Sequence, residues 1–164
     1  MAKKKSEYAV RPAKAADVQY LVEQRRALFM EFGREKRAVD RMCAKYRAWV
    51  LAGLKSRKYR AWVATGADGE VVAGAGLRIM DWPPVPVDTT SRRAYVFNVY
   101  TLPPHRRSGI ARMLMKALLE WCGKNHIITV ALHPSDDARP LYESLGFQTA
   151  TEMRLYLPRD GKQT

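Results

Sequence analysis

Residues 94–111 read AYVFNVYTLPPHRRSGIA. The first eight positions, Ala94 to Thr101, are aromatic and β-branched, the composition of a buried strand. Pro103 and Pro104 end that strand, since neither can donate to a sheet ladder. A basic turn follows. Beyond Gly109 the apolar residues Ile110, Met113, Leu114, Ala117, Leu118 and Trp121 recur at helical spacing, with Gly123 as the expected stop. Ile127 to Leu132 is short, apolar and β-branched and reads as a central strand. Strand, helix and strand in this order predict a parallel pair joined by a right-handed crossover.

Working outward, Tyr8 to Pro12 reads as a short strand. Asp17 is placed to cap a helix carrying Val18, Leu21, Val22, Leu28, Phe29 and Phe32 at helical spacing, and Gly33 ends it. A second helix runs from about Val39, with Met42, Cys43, Tyr46, Trp49, Val50 and Leu54 on one face. The period then changes. Arg60–Thr65 and Glu70–Met80 flank Gly66-Ala-Asp-Gly69 and read as a β-hairpin. Asp81-Trp-Pro-Pro-Val-Pro-Val-Asp88 is a loop by its prolines. Downstream, Asp136 or Asp137 caps a short helix to about Leu145, Pro140 fits only its first turn, and Gly146 suits a left-handed end. Phe147 to Leu157 reads as a last strand. The expected order is β-α-α-β-β-β-α-β-α-β: one mixed α/β (α+β) domain over residues 8–164, after a flexible basic N-terminus at 1–7.

Composition narrows the function. With 164 residues and 47% hydrophobic content the chain can build a core of one domain. Cys43 and Cys122 form no metal or redox motif, and the three histidines lack ligand spacing, so no metal is expected. No apolar run nears the roughly 20 residues of a membrane span, and no signal-type apolar stretch follows the first lysines. A cytoplasmic protein without membrane association is the expectation. The net charge of +13 points to an anionic ligand or surface, or serves solubility alone.

The turn before Ile110 has a chemistry of its own. A helix N-terminus carries main-chain N–H groups without internal partners, and the helix dipole adds positive potential there, so phosphate binds well. Gly109 has no Cβ and allows close approach, and Ala111 keeps the next inward position small. A connecting turn with no ligand has the same composition, so the wider pattern has to decide.

Arg106-Arg-Ser-Gly-Ile-Ala111 resembles the R/Q-x-x-G-x-G/A signature of the GNAT N-acetyltransferase superfamily. Ala138-Arg-Pro-Leu-Tyr-Glu-Ser-Leu-Gly-Phe147 resembles that family's A-x-x-L-Y-E-x-x-G-F segment, and Val10-Arg-Pro-Ala-Lys-Ala-Ala-Asp17 its first strand and helix entry. The resemblance spans about residues 8–157. It implies a GNAT-type fold: a mixed, mostly antiparallel sheet with a splayed parallel strand pair and about four flanking helices. It further implies acetyl-CoA as cosubstrate and acetyl transfer to a primary amine by direct attack through a tetrahedral intermediate. Main-chain groups of Val99, Tyr100 and Thr101 would pair with the pantetheine arm. N–H groups of Arg107, Ser108, Gly109, Ile110 and Ala111 would hold the pyrophosphate, with Arg106 and Arg107 side chains as further contacts. Tyr142 would be the general acid toward the departing thiolate. Ser135 stands where many relatives have a cofactor-contacting Asn. Relatives often carry a basic carboxylate on the strand before the cradle. Here that strand offers Asn98 and Tyr100 instead, leaving Glu31, Asp81 or a water chain as candidates for the base.

Residues 34–60 hold ten basic residues against two acidic ones. That face argues against a polycationic acceptor and for an acidic protein, an amino acid carboxylate or an RNA-bound target; a solvated helix face reads the same way. Trp82, Pro83 and Pro84 form either an apolar wall for the acceptor or a plug at the sheet end. The acceptor is a small-molecule or protein amine, and the family implies homodimers in some members. Two other readings remain beside the enzyme: a non-catalytic acyl-CoA sensor, and a basic nucleic-acid-binding protein, which lacks any recognisable binding motif.

Overall fold

Alternating burial makes Arg92–Thr101 the strand on which the sheet is built: Ala94, Val96, Asn98 and Tyr100 are buried and the residues between them half-buried. The computed structural model describes residues 7–156, which fall into two compact units, 7–133 and 134–156.

The first unit runs β1 (Ala9–Pro12), a 3₁₀ turn (Ala15–Asp17), α1 (Val18–Glu31), α2 (Lys36–Ser56), β2 (Tyr59–Thr65), β3 (Val71–Asp81), β4 (Arg92–Thr101), a 3₁₀ turn (Pro103–His105), α3 (Ile110–Lys124) and β5 (Thr129–Leu132). The strands lie in chain order in one sheet. β1 to β4 are antiparallel neighbours, and β4 and β5 are parallel, as the crossover pattern predicts. Side chains alternate across β2. Tyr59, Ala61 and Val63 join the core beneath α1 and α2, with Leu21, Val39, Cys43 and Val50. Arg60 and Trp62 face the other way, onto Trp121 of α3. The second unit holds a 3₁₀ turn (Asp136–Ala138) and α4 (Arg139–Glu143), with Pro140 in the first turn and Gly146 at φ +94°.

Tyr59 is the centre of the α1/α2 side. It is fully buried, its ring centroid is 5.2 Å from Trp49 and 5.7 Å from Phe97, and its hydroxyl is 3.5 Å from that of Tyr46. Two β3 positions along the register from this ring matter. Gly76 lies against the Tyr59 phenol, so closely that a Cβ there would sit inside van der Waals contact with the ring, and Gly74 lies against α1.

Four expectations are corrected. The described residues from 147 to 156 contain no strand: Met153, Leu155 and Tyr156 are exposed and no ladder partner is present, so alternation alone does not make the element. Leu157, like residues 1–6 of the expected flexible N-terminus, lies outside the described residues. Gly123 does not stop α3, which continues to Lys124 because His126 takes the left-handed conformation at φ +55°. Asp17 does not cap α1. Its carboxylate accepts two hydrogen bonds from Arg11 (2.8 Å each) and one from the Lys14 N–H (2.7 Å), closing the 3₁₀ turn instead. Finally, α2 starts at Lys36, three residues early, because the Glu35 carboxylate accepts from the N–H groups of Arg37 and Ala38.

Gly76→Ala should destabilise the protein by about 1–3 kcal/mol, since Tyr59 is packed on every side and has no room to yield. Urea unfolding of the variant against wild type reads this directly, and an unchanged midpoint would show that the core accommodates the methyl group.

Candidate functional site

The β4–β5 pair opens along its length. Arg93, Ala94, Tyr95 and Val96 pair with Thr129 to Leu132, and there β5 ends while β4 runs on to Thr101. At the point of divergence β4 carries one extra residue. Gly74 pairs with Tyr100 and Gly76 with Phe97, so Asn98 and Val99 together oppose the single residue Ala75. Asn98 takes φ +57°, a left-handed conformation that Asn tolerates better than other non-glycine residues. The bulge bends β4 away from the line of β5. Past it, the Leu102 N–H donates to Val72 O (2.9 Å), so Leu102 and Tyr100 direct their main-chain groups to β3. By the alternation of an antiparallel ladder, Val99 and Thr101 direct theirs to the opposite side, where β5 has ended. Of these groups the Thr101 carbonyl is occupied: it accepts from Arg106 Nε at 3.0 Å.

Three residues beyond that contact the chain turns into α3. Gly109 is the N-cap at φ +78°, Arg107 has φ +63°, and a Cβ placed on Gly109 would meet nothing within 4 Å. Among the described residues, no internal acceptor takes the main-chain N–H groups of Arg107, Ser108, Gly109, Ile110 or Ala111. The first helical carbonyl contact is Met113 N–H to Gly109 O at 3.1 Å. Five donors thus lie at a helix N-terminus with no described carboxylate bonded to them, the chemistry a pyrophosphate requires. The residues fit such a group without rearrangement of the turn.

The two arginines of the turn part ways. Arg107 is exposed. Arg106 turns back over the Tyr100 ring (5.3 Å to its centroid) and donates from Nη2 to both Glu31 oxygens, at 2.7 and 3.0 Å. The Tyr100 hydroxyl donates to the same carboxylate at 2.6 Å. Partial burial pushes the Glu31 carboxyl up, but the Tyr100 and Arg106 hydrogen bonds and the guanidinium charge together outweigh it and hold the group below its ordinary range. Burial first, and then the Glu31 carboxylate, push the Tyr100 phenol up to about 12. Of the candidate bases, Glu31 is therefore a weakly basic carboxylate in a closed network. Asp81 lies exposed at the end of β3, opposite Arg92.

In the second unit, Ser135 precedes the 3₁₀ turn. Its carbonyl accepts from the N–H groups of Ala138 (3.1 Å) and Arg139 (3.0 Å), and its hydroxyl caps nothing. Tyr142 is 7% exposed, its ring meets Phe147 edge-on at 5.8 Å, and burial raises its phenol above the ordinary value.

Two features of the site escape a reading by motif. Asn98 is one; an amide in the middle of an aromatic, β-branched run is its only signal. Asp88 is the second. Its buried carboxylate accepts from the Thr90 N–H (3.0 Å), the Thr90 hydroxyl (2.6 Å) and the Thr129 hydroxyl, fixing the proline loop to the start of β5. Trp82 of that loop, read from the sequence as a wall or a plug, is covered on one face by the Arg93 guanidinium, 3.5 Å from its centroid, and stays 42% exposed. Among the described residues no group of three or more His, Cys, Asp or Glu could hold a metal ion, and no helix is long and apolar enough to cross a membrane.

A bulged strand, a truncated parallel neighbour and a donor-lined helix entry make up the site, and the comparisons give the family. Residues 21–147 match the model of the acetyltransferase (GNAT) family, and the chain belongs to that family. It is similar to a GCN5-related N-acetyltransferase from Ralstonia eutropha JMP134, at 31% identity and a TM-score of 0.85 over 92% of this chain and 98% of that one. A predicted acetyltransferase from Clostridium acetobutylicum, crystallised with acetyl-CoA, is 27% identical with a TM-score of 0.79 over 92% and 96%. The [ribosomal protein bS18]-alanine N-acetyltransferase of Escherichia coli (strain K12) is 36% identical over 74 residues, 43% of this chain and 50% of that protein. The chain thus spans about half the length of the curated relatives it matches.

Replacing Glu31 by Gln removes the negative charge that favours the protonated phenol and leaves only a neutral, weaker acceptor. The Tyr100 pKa should then fall from about 12 toward, but not to, the ordinary 10, because burial remains. Tyrosine ring-carbon NMR across an alkaline titration reads the shift; no movement would mean that Glu31 and Tyr100 do not interact in solution.

Proposed function

We propose that the protein transfers an acetyl group from acetyl-CoA to a primary amine by direct attack. The observation that carries this reading is the free N–H cradle at Gly109, set one turn beyond a strand whose main chain is exposed by the bulge at Asn98. The pyrophosphate would be held by N–H groups from Arg107 to Ala111, and the pantetheine arm by the outward main-chain groups of Val99 and the Thr101 N–H. Tyr100 contributes its backbone to β3 and its side chain to Glu31, and Arg106 braces the turn from behind. Arg107 is the arginine free to meet phosphate.

In the reaction the neutral amine forms a bond to the thioester carbon, the carbon–sulfur bond breaks, and the thiolate takes a proton. Tyr142 is proposed as the donor of that proton on its position in the second motif; its raised pKa keeps it protonated at neutral pH. Ser135, with its hydroxyl uncommitted, is proposed as a cofactor contact. The proton lost by the ammonium leaves through water, since Glu31 is held below its ordinary range. That same closed network favours the second reading, an acyl-CoA sensor that binds without turnover. The bS18 enzymes act on an alanine amine of a ribosomal protein, so a protein amine belongs among the acceptors to be tried.

Calorimetric titration with acetyl-CoA is the first test, and absence of binding at high micromolar concentration ends both readings. Gly109→Glu should abolish binding, by placing a side chain and a negative charge where the phosphates sit; retained binding would put the phosphates elsewhere. Tyr142→Phe should lower turnover at least tenfold with cofactor affinity unchanged. If turnover in a thiol-release assay matches wild type at every pH, the tyrosine is a packing residue. A protein that binds acetyl-CoA yet releases no thiol over a panel of amines is the sensor.

A further inference from the structure

One turn of α1 gathers polar groups that the fold leaves unpaired. Leu21, Gln24 and Arg25 lie at spacings of three and four and share a face. The Leu21 carbonyl accepts from Asn98 Nδ2 at 3.3 Å, which sets this face against the bulge of β4. Gln24 Oε1 sits over Gly74, where a Cβ would come within 2.3 Å of it, and Gly74 pairs with Tyr100 beside the bulge. The Arg25 guanidinium lies 4.5 Å from the Tyr46 centroid, 4.9 Å from Phe29 and 5.9 Å from Phe97, the residue immediately before Asn98. Gln24 and Arg25 of α1 and Asn98 of β4 thus lie beside the bulge where β4 leaves β5.

Each of the three carries a buried atom without a hydrogen-bond partner. Gln24 Oε1, Arg25 Nε and Asn98 Oδ1 are three of five such side-chain atoms among the described residues. Gln24 and Asn98 are 3% and 4% exposed. Buried polar groups are normally satisfied, and a cluster of exceptions at one place calls for a physical reason. The set is complementary to one kind of ligand. Two carbonyl oxygens lacking donors suit an amino group, and a guanidinium lacking a carboxylate suits an anionic oxygen pair. No described carboxylate pairs with Arg25, and none pairs with Arg78, which lies over Trp49 at 5.3 Å on the same aromatic wall. Ring faces satisfy part of a guanidinium but leave its edge N–H groups for a ligand.

We propose that the acceptor is a small amine carrying a carboxylate beside its amino group, recognised by Gln24 and Asn98 at the nitrogen and by Arg25 at the carboxylate. Phe97, Phe29 and Trp49 supply an apolar wall for its side group. This deepens the acetyl-transfer reading and rests on it for the reaction, but not for binding. Entry requires the Gln24 and Arg25 side chains to swing, because the three atoms are closed off in this conformation.

The test is calorimetry with L-phenylalanine, phenethylamine, which lacks the carboxylate, and 3-phenylpropanoate, which lacks the amine. Wild type should bind L-phenylalanine at least tenfold more tightly than either analogue. Arg25→Gln should weaken L-phenylalanine at least tenfold and leave phenethylamine as it was, a split that lost packing would not produce. Should that variant fail to fold by circular dichroism, Arg25→Lys keeps the charge and loses the fork, and should weaken L-phenylalanine severalfold. The proposal is overturned if L-phenylalanine does not bind, if phenethylamine binds as well, or if the substitutions weaken both alike. Acetyl-CoA is titrated in parallel: its failure to bind wild type would remove the acetyl-transfer reading, while the L-phenylalanine result would still decide the binding site.

Discussion

The extra residue in β4 is the constraint on which the rest depends. In a regular ladder, Asn98 would alternate with its neighbours and β4 would run straight beside β5. Its left-handed backbone inserts two residues opposite Ala75, rotates the strand, and leaves Val99 and Thr101 facing a gap instead of a neighbour. A bulge in the middle of a sheet gives up ladder pairing. What holds it is local: the Asn98 amide donates to the Leu21 carbonyl on α1, and Gly74 and Gly76 on β3 let α1 and Tyr59 close over the strands on either side of it. Replacing the wedge by a straight strand would also move Phe97, and with it the ring cluster of Trp49 and Tyr59. Core and site share these residues.

The helix entry depends on the same geometry. β4 must end where the Pro103–His105 turn can carry the chain across to α3, so that five N–H groups open beside the exposed strand. The Arg106 side chain fixes this by spanning Thr101, Tyr100 and Glu31, which ties the cradle to the end of α1. The pair is nearly half exposed, and its Coulomb energy is small. Its importance is positional: it sets the direction of the turn and holds Glu31 in one network with Tyr100.

Periodicity and punctuation carried most of the fold into view. The helical stripe after Gly109, the hairpin around Gly66–Gly69 and the strand–helix–strand order each depend on a local rule that tertiary packing reinforces. The failures share a cause. Residues 147–156 alternate like a strand, but a strand exists only with a partner, and partnership is not a local property. Gly123 looked like a stop because glycine is the usual left-handed residue, yet His126 took that conformation three residues later. The turn into α3 was legible because Gly109 and the helical stripe behind it are both local signals. The Asn98 bulge and the Gln24–Arg25 face were not, because they arise from residues over seventy positions apart that meet only in the folded protein.

The net charge of +13 takes on a different meaning in the structure. A basic chain of this size reads first as one that binds phosphate or nucleic acid. Yet Arg25, Arg60, Arg78 and Arg93 each lie over an aromatic ring, and none is paired with a described carboxylate. Guanidinium is weakly hydrated and stacks well, so a protein can keep such cations half-buried where lysine ammonium would not stay. Four of the cations are therefore held against the fold's aromatic surfaces, while Lys36, Arg37, Arg41, Lys45, Arg47, Lys55, Arg57 and Lys58 stay exposed. Where that arrangement borders the bulge, as at Arg25 against Phe97, the same property lets a cation pack with its Nε buried and without a hydrogen-bond partner.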